Sequence, residues 1–224
     1  MPNWVFNHLT IEGSEKDIDK VKAQVGAVVK RKYKGADEVD EEIDEEIDEE
    51  PIFSFMNILP PPEDKLDEYH AVYGYAEGGK TGDTKYNWYN FNVREWGTKW
   101  DARDVDLLEE GKTFLRYKFD TAWTPPTPVI EKLAQQNPNL TITLEYREEQ
   151  GWGGEVAFTG SSMEVIKEWD VPETHAEEIE ANHGDCWKCE NFTGDYGDLY
   201  EDCPENLKPI ELNAKQDLVL TKEK

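Results

Sequence analysis

Positive charge is what this 224-residue chain most lacks. It sets 24 Lys and Arg against 50 Asp and Glu, for a formal net charge of −26. Bare nucleic acid and anionic membranes repel such a surface, so neither is an expected partner. Cysteine is scarce, with three residues, and histidine little commoner, with four. Three cysteines without an export signal do not make a disulfide framework. Long apolar runs are missing too, since no stretch approaches the ~20 residues that cross a bilayer. The opening Met1-Pro2-Asn3-Trp4-Val5-Phe6 has no basic and apolar leader, and a cytoplasmic protein is expected. No Ser-His-Asp order, nucleophile elbow or phosphate-binding glycine loop stands out. Aromatic residues, in contrast, are plentiful: at 12% of the chain, within a hydrophobic content of 37%, they suffice for a real core and argue against a fully disordered chain.

The acidity is concentrated. Residues 37–50 hold eleven acids and no base, and residues 173–206 hold eleven acids and one base, Lys188. These two blocks carry −21 of the −26. The residues outside the two blocks carry only −5. The reading is one domain over 1–170 with an insertion at about 30–90 that holds the first block, followed by an acidic extension over 171–224 that holds the second. The first block repeats every four residues: Val39-Asp40-Glu41-Glu42, Ile43-Asp44-Glu45-Glu46, Ile47-Asp48-Glu49-Glu50. That spacing predicts a helix with Val39, Ile43 and Ile47 on one face and carboxylates on the others, ended by Pro51. The repeat is either a solvated insert or an ordered acidic surface resembling a phosphate backbone. The basic segment Lys30-Arg31-Lys32-Tyr33-Lys34 directly before it is a candidate to pair with it.

Apolar periodicity orders the rest. A strand is predicted over 3–12 and a helix from Ser14 to Val29 with Ile18, Val21, Val25 and Val28 on its inner face. Short strands are expected at 53–59, 92–102 and 112–122. A helix capped by Thr124 follows, with Val129, Ile130, Leu133 and Ala134 inward and Asn137-Pro138-Asn139 at its end. The clearest strand is 140–146, where Leu140, Ile142, Leu144 and Tyr146 alternate with polar residues. A partner strand at 155–159, a further strand or irregular stretch at 161–170, and a helix at 174–182 complete the reading. With the insertion set aside, the order is strand, helix, strand, strand, helix, strand. This is the split βαβ pattern of an α+β ferredoxin-like fold: an antiparallel sheet with helices on one face.

Two constellations invite chemistry. Trp96-Gly97-Thr98-Lys99-Trp100-Asp101 sets Lys99, Trp100 and Asp101, with Trp123, as candidates for a pocket. The structural reading, aromatics filling the core around a glycine bulge, weighs more, because no nucleophile or positioned base is near. The three cysteines cluster late as Cys186-x2-Cys189-x13-Cys203, with His183 just upstream. A Cys-x2-Cys knuckle supplies two tetrahedral ligands from one turn, so His183, Cys186, Cys189 and Cys203 are candidates for a structural zinc site. Free thiols in a tail are the competing reading, and no other cofactor is expected.

Five segments stand out together: Pro2-Asn3-Trp4 with Asn7-His8-Leu9-Thr10-Ile11-Glu12-Gly13, Phe53-Ser54-Phe55 with Ile58-Leu59-Pro60, Trp96 to Ala102, Phe119 to Pro126, and Tyr146, Glu149 and Gly151. In this order they resemble the YubB/Api92-like ferredoxin-domain family of phage and mobile-element proteins. The resemblance implies a ferredoxin-like core and a mobile-element accessory protein acting in a bacterial host cell. It carries no catalytic residue over to this chain. Charge supplies the expectation about function. A chain this acidic is steered to basic surfaces, which in a bacterial cell belong mainly to nucleic-acid-binding proteins. The expected role is non-enzymatic: binding such a host protein as an acidic nucleic-acid mimic of anti-CRISPR or anti-restriction type. Asp40, Glu41, Glu42, Asp44, Glu45, Glu46, Asp48, Glu49 and Glu50 are the expected contacts. The alternative is an enzyme or small-ligand-binding domain with its pocket near Lys99, Trp100 and Asp101.

Overall fold

The computed structural model describes residues 2–28, 32–34, 42–44, 51–70, 85–181, 184–190 and 199–204. The chain divides into two compact units, Met1–Asp170 and Val171–Lys224.

The first unit opens with β1 (Trp4–Glu12), whose alternation buries Val5, Asn7, Leu9 and Ile11 and leaves Phe6 and His8 exposed. Helix α1 (Glu15–Val25) follows, with Ser14 as its N-cap accepting from the Asp17 N–H and donating its hydroxyl to the Asp17 carboxylate. Ile18, Val21 and Val25 face inward as expected. The helix stops at Gly26, earlier than Val29, because other groups take its last carbonyls. Ser54 N–H donates to the Val25 carbonyl, and the Asn57 amide to those of Val25 and Ala27. Val28 is consequently exposed.

The insertion contributes a small antiparallel pair, β2 (Lys32–Lys34) and β3 (Glu42–Asp44), in which Lys32 pairs with Asp44 and Lys34 with Glu42. The helix predicted through the acidic repeat is therefore not formed at Glu42–Asp44. A helix would stack like charges four residues apart, whereas this register sets acidic positions opposite basic ones. Val39 and Ile47 lie outside the described residues.

Residues 53–59, expected as a strand, instead form the short helix α2 (Phe55–Ile58). The cause is Asp101, distant in sequence, whose carboxylate accepts from the Phe55 and Met56 N–H groups and from the Ser54 hydroxyl. Those are the donors a helix start leaves free. A 3-10 turn (Glu63–Lys65) and α3 (Leu66–His70) come next. The strand expected over 92–102 is also corrected. Asn92 sits in α4 (Trp88–Glu95), which is capped by Asn87, and the chain then turns through Gly97. Gly97 has φ +83°, and a Cβ there would collide with the Pro128 ring.

Strands β4 (Arg103–Glu110) and β5 (Phe114–Ala122) form a hairpin. Helix α5 (Thr127–Gln136) buries Val129, Ile130, Leu133 and Ala134. Thr124 does not cap it, since its hydroxyl donates to the Gly97 carbonyl and Pro126 occupies the N-cap. Strands β6 (Thr141–Glu148), β7 (Gly153–Thr159) and β8 (Ser162–Trp169) finish the unit. The sheet order is β4-β5-β1-β6-β7-β8, antiparallel throughout. Its first four positions are the ferredoxin-like arrangement, with β1 central, and β7 and β8 extend one edge. One core joins the inward residues of β1, β5 and β6 to those of α1, α2 and α5, with Trp96, Phe55, Phe119 and Phe158 among its largest members.

The second unit contains α6 (His175–Ala181) and α7 (Trp187–Glu190). Among the described residues its core is small: Cys186, Leu199, Tyr200 and Cys203, with Ile179 and Cys189 against them. No helix among the described residues is long and apolar enough to cross a membrane.

Candidate functional site

The four pocket candidates, Lys99, Trp100 and Asp101 after α4 and Trp123 after β5, do not all share one role. Trp96 is core, its indole N–H donating to the Leu59 carbonyl at 2.8 Å. Lys99, Trp100 and Trp123 do come together. The Lys99 ammonium lies 4.5 Å from the Trp100 ring centroid and 4.9 Å from that of Trp123. Trp4 packs on Trp100 and Tyr89 on Trp123, two neighbours that sequence spacing does not reveal. Trp123 is exposed and holds φ +72°, a left-handed conformation costly for a bulky residue.

Asp101 takes a different part. It accepts from Ser54 Oγ at 2.6 Å, Phe55 N at 2.6 Å and Ala102 N at 2.8 Å. Burial pushes its carboxyl above the usual range, opposed by those same hydrogen bonds. It lines a cleft of about 640 Å³ with Ile52, Phe53, Asp104 and Asp106. Its lone pairs are committed to holding α2, so its role here is structural.

The second cluster lies in the C-terminal unit. The side chains of His175, Cys186, Cys189 and Cys203 converge, with their ligand atoms all within 4.8 Å of one another. Cys203 Sγ is 3.4 Å from Cys189 Sγ and 4.0 Å from Cys186 Sγ. His175 Nδ1 is 3.2 Å from Cys203 Sγ and 3.6 Å from Cys189 Sγ. Local structure explains the convergence. Thr174 and Glu177 form a capping box, each side chain accepting from the other's N–H, which starts α6 at His175. The His175 N–H donates to Asp202 Oδ1 at 2.8 Å, tying the helix start to the residue before Cys203. That bond holds the Asp202 carboxyl below its ordinary range. Cys186 and Cys189 bracket the start of α7, where the Cys189 N–H donates to Cys186 Sγ at 3.4 Å. Burial, together with the neighbouring sulfurs of Cys203 and Cys186, pushes the Cys189 thiol up to about 12.

His183, the histidine nearest the cysteines in sequence, lies outside the described residues; among the described residues the histidine brought to the sulfurs is His175. The Thr174-x-x-Glu177 cap was the available signal, since it fixes His175 at a helix start. Of the acidic candidates, Glu42 and Asp44 lie on β3. Asp40, Glu41, Glu45, Glu46, Asp48, Glu49 and Glu50 lie outside the described residues.

The sheet order and the two helices packed against it define an α+β protein with a ferredoxin-like domain. Residues 95–188 match the family model described as the ferredoxin-like domain in Api92-like protein, and over that stretch the chain is similar to this family. Among solved structures, the protein api92 from Yersinia pseudotuberculosis aligns at 11% identity and a TM-score of 0.47, covering 77% of this chain and 99% of that one. No curated protein matches the chain.

Proposed function

We propose that this is a non-enzymatic accessory protein of a phage or other mobile element, which binds a basic, nucleic-acid-binding protein of the bacterial host. It occupies the surface where that partner's nucleic acid would lie, as an anti-CRISPR or anti-restriction inhibitor would. The carrying observation is where the charge sits: −11 within residues 37–50 and −10 within residues 173–206, against only −5 over all the other residues. Carboxylates grouped at this density raise the encounter rate with a basic surface and disfavour acidic competitors. The resemblance to Api92-like proteins supports the mobile-element setting.

The test is capture from nuclease-treated bacterial lysate. Wild type is compared with a variant in which Asp40, Asp44 and Asp48 become Asn and Glu41, Glu42, Glu45, Glu46, Glu49 and Glu50 become Gln. Capture of a nucleic-acid-binding protein by wild type alone is expected. Equal capture by both removes the repeat as the contact surface.

A second reading has its own observation. The Lys99 ammonium between two indoles, one of them exposed on a strained backbone, is a platform on which a small planar ligand can stack. Asp101 takes no part in it. Ligand-induced quenching of tryptophan emission, lost in Trp123→Ala, is its signature.

A further inference from the structure

We propose that His175 Nδ1 and the sulfurs of Cys186, Cys189 and Cys203 form a closed Cys3His structural zinc centre around which the C-terminal unit folds. Three independent observations carry this. The first is geometric. Tetrahedral Zn²⁺, with bonds of about 2.3 Å to sulfur and about 2.05 Å to nitrogen, sets S···S edges near ~3.8 Å and S···N edges near ~3.6 Å. Four of the six observed edges are 3.4 and 4.0 Å for sulfur pairs and 3.2 and 3.6 Å for sulfur to nitrogen, and the two others, from Cys186 to Cys189 and to His175, lie within 4.8 Å. A disulfide needs about 2.05 Å between sulfurs and uses two thiols, so it leaves both the third cysteine and the histidine unexplained.

The second observation is the local backbone. Cys186-x2-Cys189 is a knuckle spacing, and the Cys189 N–H already points at Cys186 Sγ, the donor arrangement that spreads the charge of a metal-bound thiolate. The His175 ring presents Nδ1 to the sulfurs from the first turn of α6, whose start is fixed by the capping box and by Asp202.

The third is the unit's core. Among the described residues, two of its four buried members are the ligands Cys186 and Cys203, and Cys189 packs against them. Among the described residues, Leu199, Tyr200 and Ile179 are the apolar members of this core beyond the ligands, and they bury too little surface to order the segments that carry the site. Small domains close this deficit with a metal, whose binding free energy becomes folding free energy. Mixed sulfur and imidazole ligation selects zinc among the common divalent ions, and four protein ligands leave no open position for a reacting water.

The experiment uses the full chain, free of any affinity tag, supplied with Zn²⁺ during expression. Elemental analysis is expected to give about one zinc per chain. Replacement by Co²⁺ should give the intense visible absorption of a tetrahedral thiolate site. His175→Ala and Cys203→Ser should weaken zinc binding by roughly a hundredfold or more, measured by competition with a chromophoric chelator, while His183→Ala leaves it unchanged. Because unfolding of the unit would also weaken binding in those variants, wild type is also stripped with chelator. Limited proteolysis should then cut within 171–204, and added Zn²⁺ should restore protection. Wild type without stoichiometric zinc, without the cobalt absorption, and with three freely reacting thiols would overturn the proposal. So would loss of the metal from His183→Ala but not from His175→Ala.

Discussion

Tyr117 carries a hydroxyl into the core on β5, its ring tilted against that of Phe53, and among the described residues that oxygen has no hydrogen-bond partner. Burial, with Glu110 nearby, pushes its phenol up to about 12. The unfolded chain ionises near pH ~10 and the folded chain only near 12, so the folded state binds more protons between those values and loses stability as pH rises through them. Tyr117→Phe removes the unpaired oxygen and keeps the ring. It is expected to be neutral or stabilising by about 1 kcal/mol at pH 7 and to flatten the alkaline loss, as read by urea unfolding across that window. Destabilisation at pH 7 would mean that the hydroxyl has a partner in solution. Asn7 on the neighbouring strand shares the trait in part, because its Oδ1 likewise has no partner among the described residues. Fully buried, it donates its amide to the carbonyls of Val5 and Phe119 and to Thr121 Oγ.

At the scale of elements, legibility followed the range of the forces involved. Strand β6 could be read directly, because its alternation of Ile142, Leu144 and Tyr146 with polar residues records one buried face. The inner face of α5 was equally plain. Helix α2 was not, because Phe53-Ser54-Phe55 has strand composition and only the Asp101 carboxylate, brought in from the far side of α4, supplies the cap. Asp101→Ala would leave the Ser54 hydroxyl and the Phe55 and Ala102 N–H groups without their acceptor. It is expected to cost about 3 kcal/mol in urea unfolding, with Asp101→Asn losing less. A loss under ~0.5 kcal/mol would show that water replaces the carboxylate and that α2 holds without it. Of the four residues at the sulfur cluster, three were legible and one was not, for the same reason. Cys186, Cys189 and Cys203 stand out by residue type and spacing, whereas His175 is identified only by the helix start that aims it. The acidic repeat shows the limit of periodicity. Its four-residue spacing satisfies a helix, but the repulsion of its own charges and the nearby Lys32–Lys34 segment favour the extended pairing seen at Glu42–Asp44.

For the whole molecule, the ferredoxin-like order of β4-β5-β1-β6 follows from the strand and helix sequence, and it decides no function by itself. What distinguishes this chain is the concentration of its charge in two acid-rich blocks, one inserted in the first unit and one in the second, with all other residues together at only −5. Mimicry of nucleic acid requires more than attraction: the protein and the nucleic acid must exclude each other on the partner. The decisive measurement is therefore a three-component competition, in which the captured partner is loaded with a labelled oligonucleotide and titrated with this protein at moderate salt. Displacement of the oligonucleotide, weakening as salt rises and abolished by amidation of the acids between Asp40 and Glu50, is the predicted result. A stable ternary complex, with the oligonucleotide and this protein bound together, would contradict it.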